Sequence, residues 1–299
     1  MTKSTRIMII AAMLVFVSAF VNVLYAQSMK LDEPLIMAHY DDLLWDEGRE
    51  LDLQIHYITN RDDDRRMVSL DFESLSSSEI MVEQSQDSSF TFSFQGNQVY
   101  NDQVGRYFTK KTGYIHLRLG EADIVRLKEE GSIKVTRANV GYSDGSFAVV
   151  NLGEIRLLSQ SLQEELVRTD HRGRGMPEFT ASFKLEEAIE ITSLDLGFVA
   201  SHPDLLDFQM MVDSKKIYSL KELQSIETPI KAKVSIELIY TIISDDLSSY
   251  WIAGRVHPEI FYTSSQGPDS FRSVFNRSYG QLDEKSVESY VKLWRKDNE

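Results

Sequence analysis

Apolar and polar residues alternate with a period of two along most of the chain, and this pattern predicts half-buried antiparallel strands. Leu51, Leu53 and Ile55 share one face of the first such run, with polar residues between them. Further runs of this kind cover residues 68–72, 90–94, 115–119, 133–142 and 147–157. Turn-forming stretches separate them, including NRDDDRR at 60–66 and SDG at 143–145, where Gly145 suits a positive φ.

The second half of the chain resumes the alternation after a less apolar stretch. Strands are predicted at residues 180–185, 188–200, 205–212, 230–243 and 250–262, the fourth being a central strand rich in β-branched residues. Residues 161–178 combine low apolar content with glycine, proline and arginine, which predicts a linker with a short helix at 162–167. The sequence therefore predicts an all-β fold with two antiparallel β-sandwich (Ig-like) domains, at residues 30–160 and 179–299.

Two segments after the N-terminal region have helical patterns. Residues 121–130 carry acidic side chains in the first turn and are followed by Gly131, a common helix stop. At the C-terminus, residues 282–299 place Val287, Tyr290, Val291 and Trp294 on one apolar stripe. We expect this C-terminal helix to pack on the second domain, and the alternative is a helix that binds a partner.

The N-terminal segment is the longest apolar stretch of the sequence. Lys3 and Arg6 precede an uninterrupted apolar run at residues 7–17, and looser apolar character continues to Leu24. A cationic start, a run of about 7–15 apolar residues and a small residue at the cut are typical of a signal peptide. We therefore favour a signal peptide at residues 1–26, cleaved after Ala26.

Two alternatives remain for this segment. Residues 7–26 just reach the roughly 20 apolar residues that a transmembrane helix needs, so a single-pass N-terminal anchor is the first alternative. A buried core helix of a cytosolic protein is the second, although no turn of the segment has a polar face. The positive-inside rule places the rest of the chain outside the cytoplasm in the cleaved and the anchored cases alike.

Composition and charge narrow the class of protein. The chain has no cysteine, which excludes thiolate zinc sites and iron–sulfur clusters, and which in an exported protein fits a bacterium better than a eukaryote. The formal net charge is −14 and both halves are acidic, so no basic domain is available to bind nucleic acid. With 42% hydrophobic residues the chain can form packed cores.

Candidate metal and catalytic residues lack the spacing that their chemistry requires. Asp62, Asp63 and Asp64 stand in a row but lack the glycine and spaced glutamate of a calcium loop, so we interpret them as a solvated turn. The histidines form no zinc motif, and His56 and His116 are predicted on the polar faces of strands; the full set is His39, His56, His116, His171, His202 and His257. No G-x-S-x-G nucleophile motif occurs, and Ser286 and Ser289 have no supporting pattern. The sequence thus predicts no catalytic residue, no metal site and no cofactor.

Three features suggest binding more than chemistry. Tyr250, Trp251 and Tyr262 could form a sugar-binding platform, but alternation puts Tyr250 and Trp251 on opposite faces of one strand. The cluster HRGRG at 171–175 could dock an anion, and we favour a flexible linker. Asn276 begins a formal glycosylation sequon.

The function expected from these observations is an exported, non-catalytic binding or structural module of the cell envelope. Its expected partner is an envelope protein or a cell-wall polymer, with membrane contact only through an uncleaved N-terminal helix. One alternative is an enzyme that acts on extracellular polysaccharide through paired carboxylates. The other is a membrane-anchored accessory or sensor subunit.

Overall fold

A computed structural model describes residues 3–84, 103–104, 106–159, 167–173, 178–201, 203, 206–242, 254–272, 275–277 and 284–298. Three predicted features lie outside these residues, namely the strand at 90–94, the helix at 162–167 except for its last residue, and the aromatic pair Tyr250 and Trp251. That last residue, Val167, begins a strand instead. Within them the chain is mostly β, in antiparallel-rich sheets, with a helix at each end.

The first half of the chain forms a β-sandwich. Its elements in chain order are α1 (Lys3–Met29), β1 (Leu35–Ile36), β2 (His39–Trp45), β3 (Leu51–Asn60), β4 (Met67–Phe72), β5 (Glu79–Gln84), β6 (Gln103–Val104), β7 (Phe108–Arg118), α2 (Glu121–Glu130), β8 (Ser132–Tyr142) and β9 (Phe147–Ser159). One sheet has the order β1-β3-β7-β5 with β6 also on β7, and the other has the order β2-β9-β8-β4. Among the described strand pairs only β2 and β9 run parallel.

The core of this sandwich lies between its two sheets, as the alternation predicts. Leu53 and Ile55 from β3 join Val135 and Val140 from β8 in one buried cluster. The helix predicted at 121–130 is confirmed as α2, and Gly131 ends it with φ of 75°. The turn at 143–145 is also confirmed, with Gly145 at φ of 83°.

The second half forms another sandwich. Its elements are β10 (Val167–Gly173), β11 (Glu178–Leu185), β12 (Ile189–Asp195), α3 (Phe198–Ser201), β13 (Leu206–Val212), β14 (Lys216–Ser219), α4 (Leu220–Leu223), β15 (Ile230–Ala232), β16 (Ser235–Ile242), β17 (Gly254–Val256), β18 (Glu259–Ser264), β19 (Gly267–Arg272), β20 (Phe275–Arg277) and α5 (Glu284–Asn298). The sheets β10-β11-β16-β13-β14 and β15-β12-β18-β19 enclose its core, and β17 pairs with β20.

Part of the predicted linker is a strand. Residues Val167–Gly173 of β10 pair along their whole length with Phe179–Leu185 of β11, in antiparallel register. The prediction of a linker throughout 161–178 is therefore wrong for 167–173, since these residues form the edge of the second sandwich. Charged residues such as those of this segment are common on edge strands, where they discourage pairing with another chain. The outer boundaries of the two predicted domains stay predictions.

Local breaks divide three of the predicted strands. The run 230–243 is split because Asp213, at φ of 52°, accepts hydrogen bonds from the N–H groups of Lys233, Val234 and Ser235 at 3.0, 2.7 and 3.2 Å. Val234 is consequently exposed instead of following the alternation. The run 188–200 ends in α3, and the run 250–262 is interrupted between β17 and β18.

Two adjacent aspartates on β2 connect the sandwiches. Asp42 accepts hydrogen bonds from Arg156 of β9 at 2.7 and 2.9 Å, and from the backbone N–H of His257 at 2.8 Å. Asp41 accepts one from the backbone N–H of Arg255 at 2.7 Å. Burial raises the pKa of the Asp41 carboxyl in spite of the nearby Arg255 guanidinium. These contacts hold strand β17 against the edge of the first sandwich.

Candidate functional site at the base of the N-terminal helix

Helix α1 is apolar on all sides and exposed over most of its length. Residues Met8–Met29 form 22 residues of helix with a mean hydropathy of 2.4, and the most apolar window has no buried residue. Phe16 is 75% exposed. At 1.5 Å per residue this helix is ~33 Å long, close to the thickness of a bilayer core. The interpretation of this segment as a buried core helix is wrong, whereas a signal peptide and an anchor both agree with it.

The chain directly after α1 is buried against the first sandwich and against α5. Met29, Leu31, Leu35 and Met37 form one apolar cluster with Ile58 and Phe108, together with Val287, Tyr290 and Val291 of the C-terminal helix. Ile58 lies on the face of β3 that points away from the sandwich core, so α5 and the segment 29–37 form a third layer there. The prediction that the α5 stripe packs on the second domain is wrong, because this outer face supplies apolar surface to cover it.

Hydrogen bonds fasten the exit of α1 to the turn at 60–66. Buried Asn60 pairs with both backbone groups of Leu31, accepting from its N–H at 2.8 Å and donating to its carbonyl at 2.6 Å. Arg65 donates to the carbonyl of Asp32 at 3.1 Å. Arg65 also binds the carboxylate of Asp63, with the shortest distance 2.7 Å.

The turn itself is therefore built for structure. Partial burial acts to raise the pKa of the Asp63 carboxyl, but hydrogen bonds from Arg65 outweigh it and the pKa lies below its ordinary value. Lys111 donates to the backbone carbonyls of Asp63 and Arg65 at 2.7 and 2.9 Å. No group of three His, Asp or Glu side chains that could hold a metal ion occurs in the part of the chain that the structure describes.

The C-terminal helix holds the last turn of α1 from the other side. Tyr25 donates to a carboxylate oxygen of Glu288 at 3.0 Å and accepts from Lys292 at 3.2 Å. Arg295 donates to the carbonyls of Ser28 and Lys30, the latter at 2.5 Å. The predicted cleavage position, between Ala26 and Gln27, thus lies inside a helical turn that contacts α5 on both sides of the bond.

A cavity of about 530 Å³ opens beside the junction of α1 with the turn at 60–66 and with α5. It is lined by Ala26, Met29, Lys30, Asn60, Arg61, Asp62, Arg106 and Tyr107. A backbone hydrogen bond of 2.8 Å from the N–H of Arg61 to the carbonyl of Tyr107 fixes the two connections that supply the arginines. Three basic side chains against one carboxylate make this an electropositive cavity in a chain of net charge −14.

Aromatic rings lie at this cavity, and a pair of histidines is buried on the neighbouring strands β2 and β3. The rings of Tyr25 and Tyr107 meet edge to face with their centroids 6.0 Å apart. The rings of His39 on β2 and His56 on β3 stack with their centroids 5.9 Å apart, and the backbone N–H of His56 donates to Nε2 of His39 at 3.1 Å. Burial lowers the pKa of His39 to about 4 and that of His56 to about 2. His56 is 5% exposed, so its predicted place on a polar face is wrong.

The other sequence candidates are dispersed. His116 is exposed as predicted, and hydrogen bonds with Asp52 and Glu83 raise its pKa. Tyr262 is buried in the second core, which removes it from a sugar-binding platform. His257 lies at the contact of the two sandwiches, His171 belongs to β10, Asn276 to β20, and Ser286 and Ser289 to α5. His202 lies outside the described residues.

Comparisons with known proteins add no family. No protein-family model and no curated protein matches the chain. Solved structures match only weakly, as three of them illustrate. Manganese lipoxygenase of Gaeumannomyces graminis with partial zonadhesin of Komagataella pastoris is 8% identical, over 83% of this chain and 94% of that chain, with a TM-score of 0.18. The N-terminal periplasmic domain of ScsB from Proteus mirabilis is 9% identical, over 79% of this chain and 92% of that chain, with a TM-score of 0.18. A marsupial T cell receptor is 9% identical, over 83% of this chain and 97% of that chain, with a TM-score of 0.16. Scores this low carry no argument about this chain.

Proposed function

We propose that the chain is a membrane-anchored binding module of the bacterial cell envelope, in which α1 is retained and the two sandwiches stand outside the cytoplasm. The proposal replaces the expected cleavage after Ala26 by the anchored alternative. Lys3 and Arg6 would remain on the cytoplasmic side, as the positive-inside rule favours. The partner would be an envelope protein or a wall polymer that the sandwiches hold near the membrane.

The proposal rests on the hydrogen bonds between α5 and the last turn of α1. Tyr25 lies before the predicted cleavage bond and would leave with a signal peptide, yet its hydroxyl group joins Glu288 and Lys292. Lys292 also lies 5.4 Å from the centre of the Tyr25 ring. Contacts between a leader and the C-terminal helix of the folded chain serve no purpose in a secreted product, but they would orient a module on its anchor.

A binding role agrees better than hydrolysis with the cavity that Lys30, Arg61 and Arg106 line. Its lining holds three basic groups and a single carboxylate, whereas hydrolysis of a glycosidic bond by the two-carboxylate mechanism needs a pair of acids. The cavity suits an anion.

The first experiment is the intact mass of the native protein after membrane, wall and soluble fractions are separated. We expect the mass of a chain that still carries residues 1–26, in the membrane fraction. A soluble product that begins at Gln27 would refute anchoring and restore the secreted module.

The second experiment uses the absence of native cysteine. A Tyr25→Cys/Glu288→Cys variant should be joined within one chain by a short bis-maleimide in native membranes. The matched control, Tyr25→Cys/Lys215→Cys, places its second thiol in a turn of the second sandwich and should not be joined. Equal reaction of both variants would contradict the contact between α1 and α5.

A further inference from the structure

We propose that the cavity at the base of α1 binds the phosphate-bearing headgroup of an anionic phospholipid from the outer leaflet. This inference rests on the proposed function, because it requires α1 to span the bilayer. It adds a ligand class and a site, formed by Lys30, Arg61 and Arg106, to the anchored module.

The cavity lies at the depth where a headgroup would be. The exposed apolar part of α1 ends at Tyr25, and the cavity lining begins with the next residue, Ala26. From Met29 onward the apolar side chains, Met29, Leu31, Leu35 and Met37, are buried in protein. A bilayer that covers the exposed part of α1 therefore brings its polar surface to the cavity mouth. The edge-to-face pair of Tyr25 and Tyr107 lies at the same level, where tyrosine rings concentrate in membrane proteins.

The charge of the lining fits one phosphodiester group. Arginine presents several N–H donors in a plane and suits phosphate oxygens, and Lys30 adds a third cation. Asp62, on the same lining, would repel a second negative charge and can accept from headgroup hydroxyls. A volume of about 530 Å³ lies in the range of small-molecule sites. Basic pockets between membrane-spanning helices recognise anionic headgroups on the cytoplasmic side of membranes, and the same charge chemistry would act at this cavity on the outer side.

Hydrogen bonds fix the backbone positions of these residues independently of any ligand. Asn60 holds Leu31, the neighbour of Lys30, at 2.8 and 2.6 Å. Arg61 is tied to the Tyr107 carbonyl at 2.8 Å, next to Arg106. The cations therefore come from three separate segments that the fold brings to one cavity, which a surface charge acquired for solubility would not require.

The test measures binding of dye-labelled phosphatidylglycerol to the full-length chain in neutral detergent, by fluorescence anisotropy. The variant Arg61→Gln/Arg106→Gln should weaken binding by roughly 30-fold, since each basic group near an anionic lipid surface contributes roughly fivefold. Arg61→Lys/Arg106→Lys keeps the charge and should retain most of the affinity. The matched control Lys215→Gln/Lys221→Gln removes the same charge from the second sandwich and should bind like the unchanged chain.

Each remaining outcome overturns the inference. Equal weakening by the glutamine variant and its control would show attraction by net charge alone. Equal binding of labelled phosphatidylcholine would show a site that ignores the phosphate's uncompensated charge. Displacement by soluble glycerol phosphate at low concentration would assign the site to a free phosphate ester. Failure of the anchor proposal is recognised separately, by a native mass that begins at Gln27, because the lipid assay uses the uncleaved chain.

Discussion

Acidification should destabilise the first sandwich through the buried histidine pair His39 and His56. His39 is 1% exposed and His56 is 5% exposed, and burial disfavours the charged form of each ring. The charge of Lys110 lowers the pKa of both, and the charge of His39 lowers that of His56 further. In the unfolded chain both would titrate near 6.5. Below that pH the unfolded state binds more protons than the folded state, so stability falls as pH falls.

The magnitude follows from the two pKa values. With folded-state values of about 4 and about 2, the free energy of unfolding should drop by about 2 kcal/mol for each histidine between pH 7.5 and pH 5. Carboxylates with lowered pKa, such as Asp63 and Asp213, lose their contribution only below their ordinary pKa of 3.8, outside this window. His116 acts in the opposite direction, because its raised pKa adds stability that is present below 6.5 and lost as pH rises.

The assay is equilibrium urea unfolding of the full-length chain in detergent, followed by tryptophan fluorescence. Trp45 is buried in the first core and reports on that sandwich. His39→Gln/His56→Gln should flatten the dependence on pH, because glutamine does not titrate. The fold should persist, since a glutamine oxygen at position 39 can still accept the hydrogen bond that His39 accepts. His116→Gln is the exposed control and should slightly steepen it. An unfolding midpoint that stays constant from pH 7.5 to 5 would contradict a role of these histidines, as would an unchanged slope in the double variant.

Three substitutions test packing within the first sandwich and at its contacts, each by its urea midpoint. Gly153→Ala should cost at least ~3 kcal/mol, since a Cβ there, at φ of +86°, would lie 2.3 Å from the His39 carbonyl oxygen. The control Gly48→Ala, at φ of +80° with nothing within 4 Å, should cost only ~1 kcal/mol. Equal costs would contradict the parallel β2–β9 contact. Arg156→Met should cost roughly 3–5 kcal/mol by leaving the Asp42 carboxylate buried and without its guanidinium, and the exposed Arg137→Met should be near neutral; a small effect of the first would show that water reaches Asp42. Asn60→Ala should cost about 2 kcal/mol through the two lost hydrogen bonds to Leu31, whereas the exposed control Asn139→Ala should change little. If segment 29–37 stays protected from proteolysis in Asn60→Ala, these hydrogen bonds do not hold it in place.

The strands were predictable because their burial pattern is local. A period-two pattern reports which side of a strand faces a core, whichever strands surround it, and so β3, β7 and β8 appear where the alternation places them. Errors arose where one residue changes the local geometry. A bulge between Met67 and Ser69 leaves Val68 exposed at 42%, and the carboxylate of Asp213 interrupts the run 230–243. Such breaks depend on partners that are distant in sequence.

The site depended on long-range packing that the alternation cannot report. Residues 58 and 60 share the parity of the polar face of β3, and the sequence has isoleucine at the first position. An apolar residue at such a position indicates a second layer on the outer face of the sheet, but it does not say which segment supplies that layer. The stripe on α5 and the apolar residues after α1 were each visible. Their meeting at Ile58 and Phe108 is a property of the fold.

The same packing separates the two fates of α1 more sharply than the helix itself does. Met29, Leu31 and Met37 lie after the predicted cut and would stay docked in a cleaved product, so their burial agrees with either fate. Cleavage would remove Tyr25, which hydrogen-bonds to Glu288 of α5, and Ala26, which lines the cavity. The cavity keeps all of its cations after cleavage but loses the bilayer that would bring it a lipid. Retention of residues 1–26 and recognition of an anionic headgroup therefore stand as one mechanism with two separate measurements, the first of mass and the second of affinity.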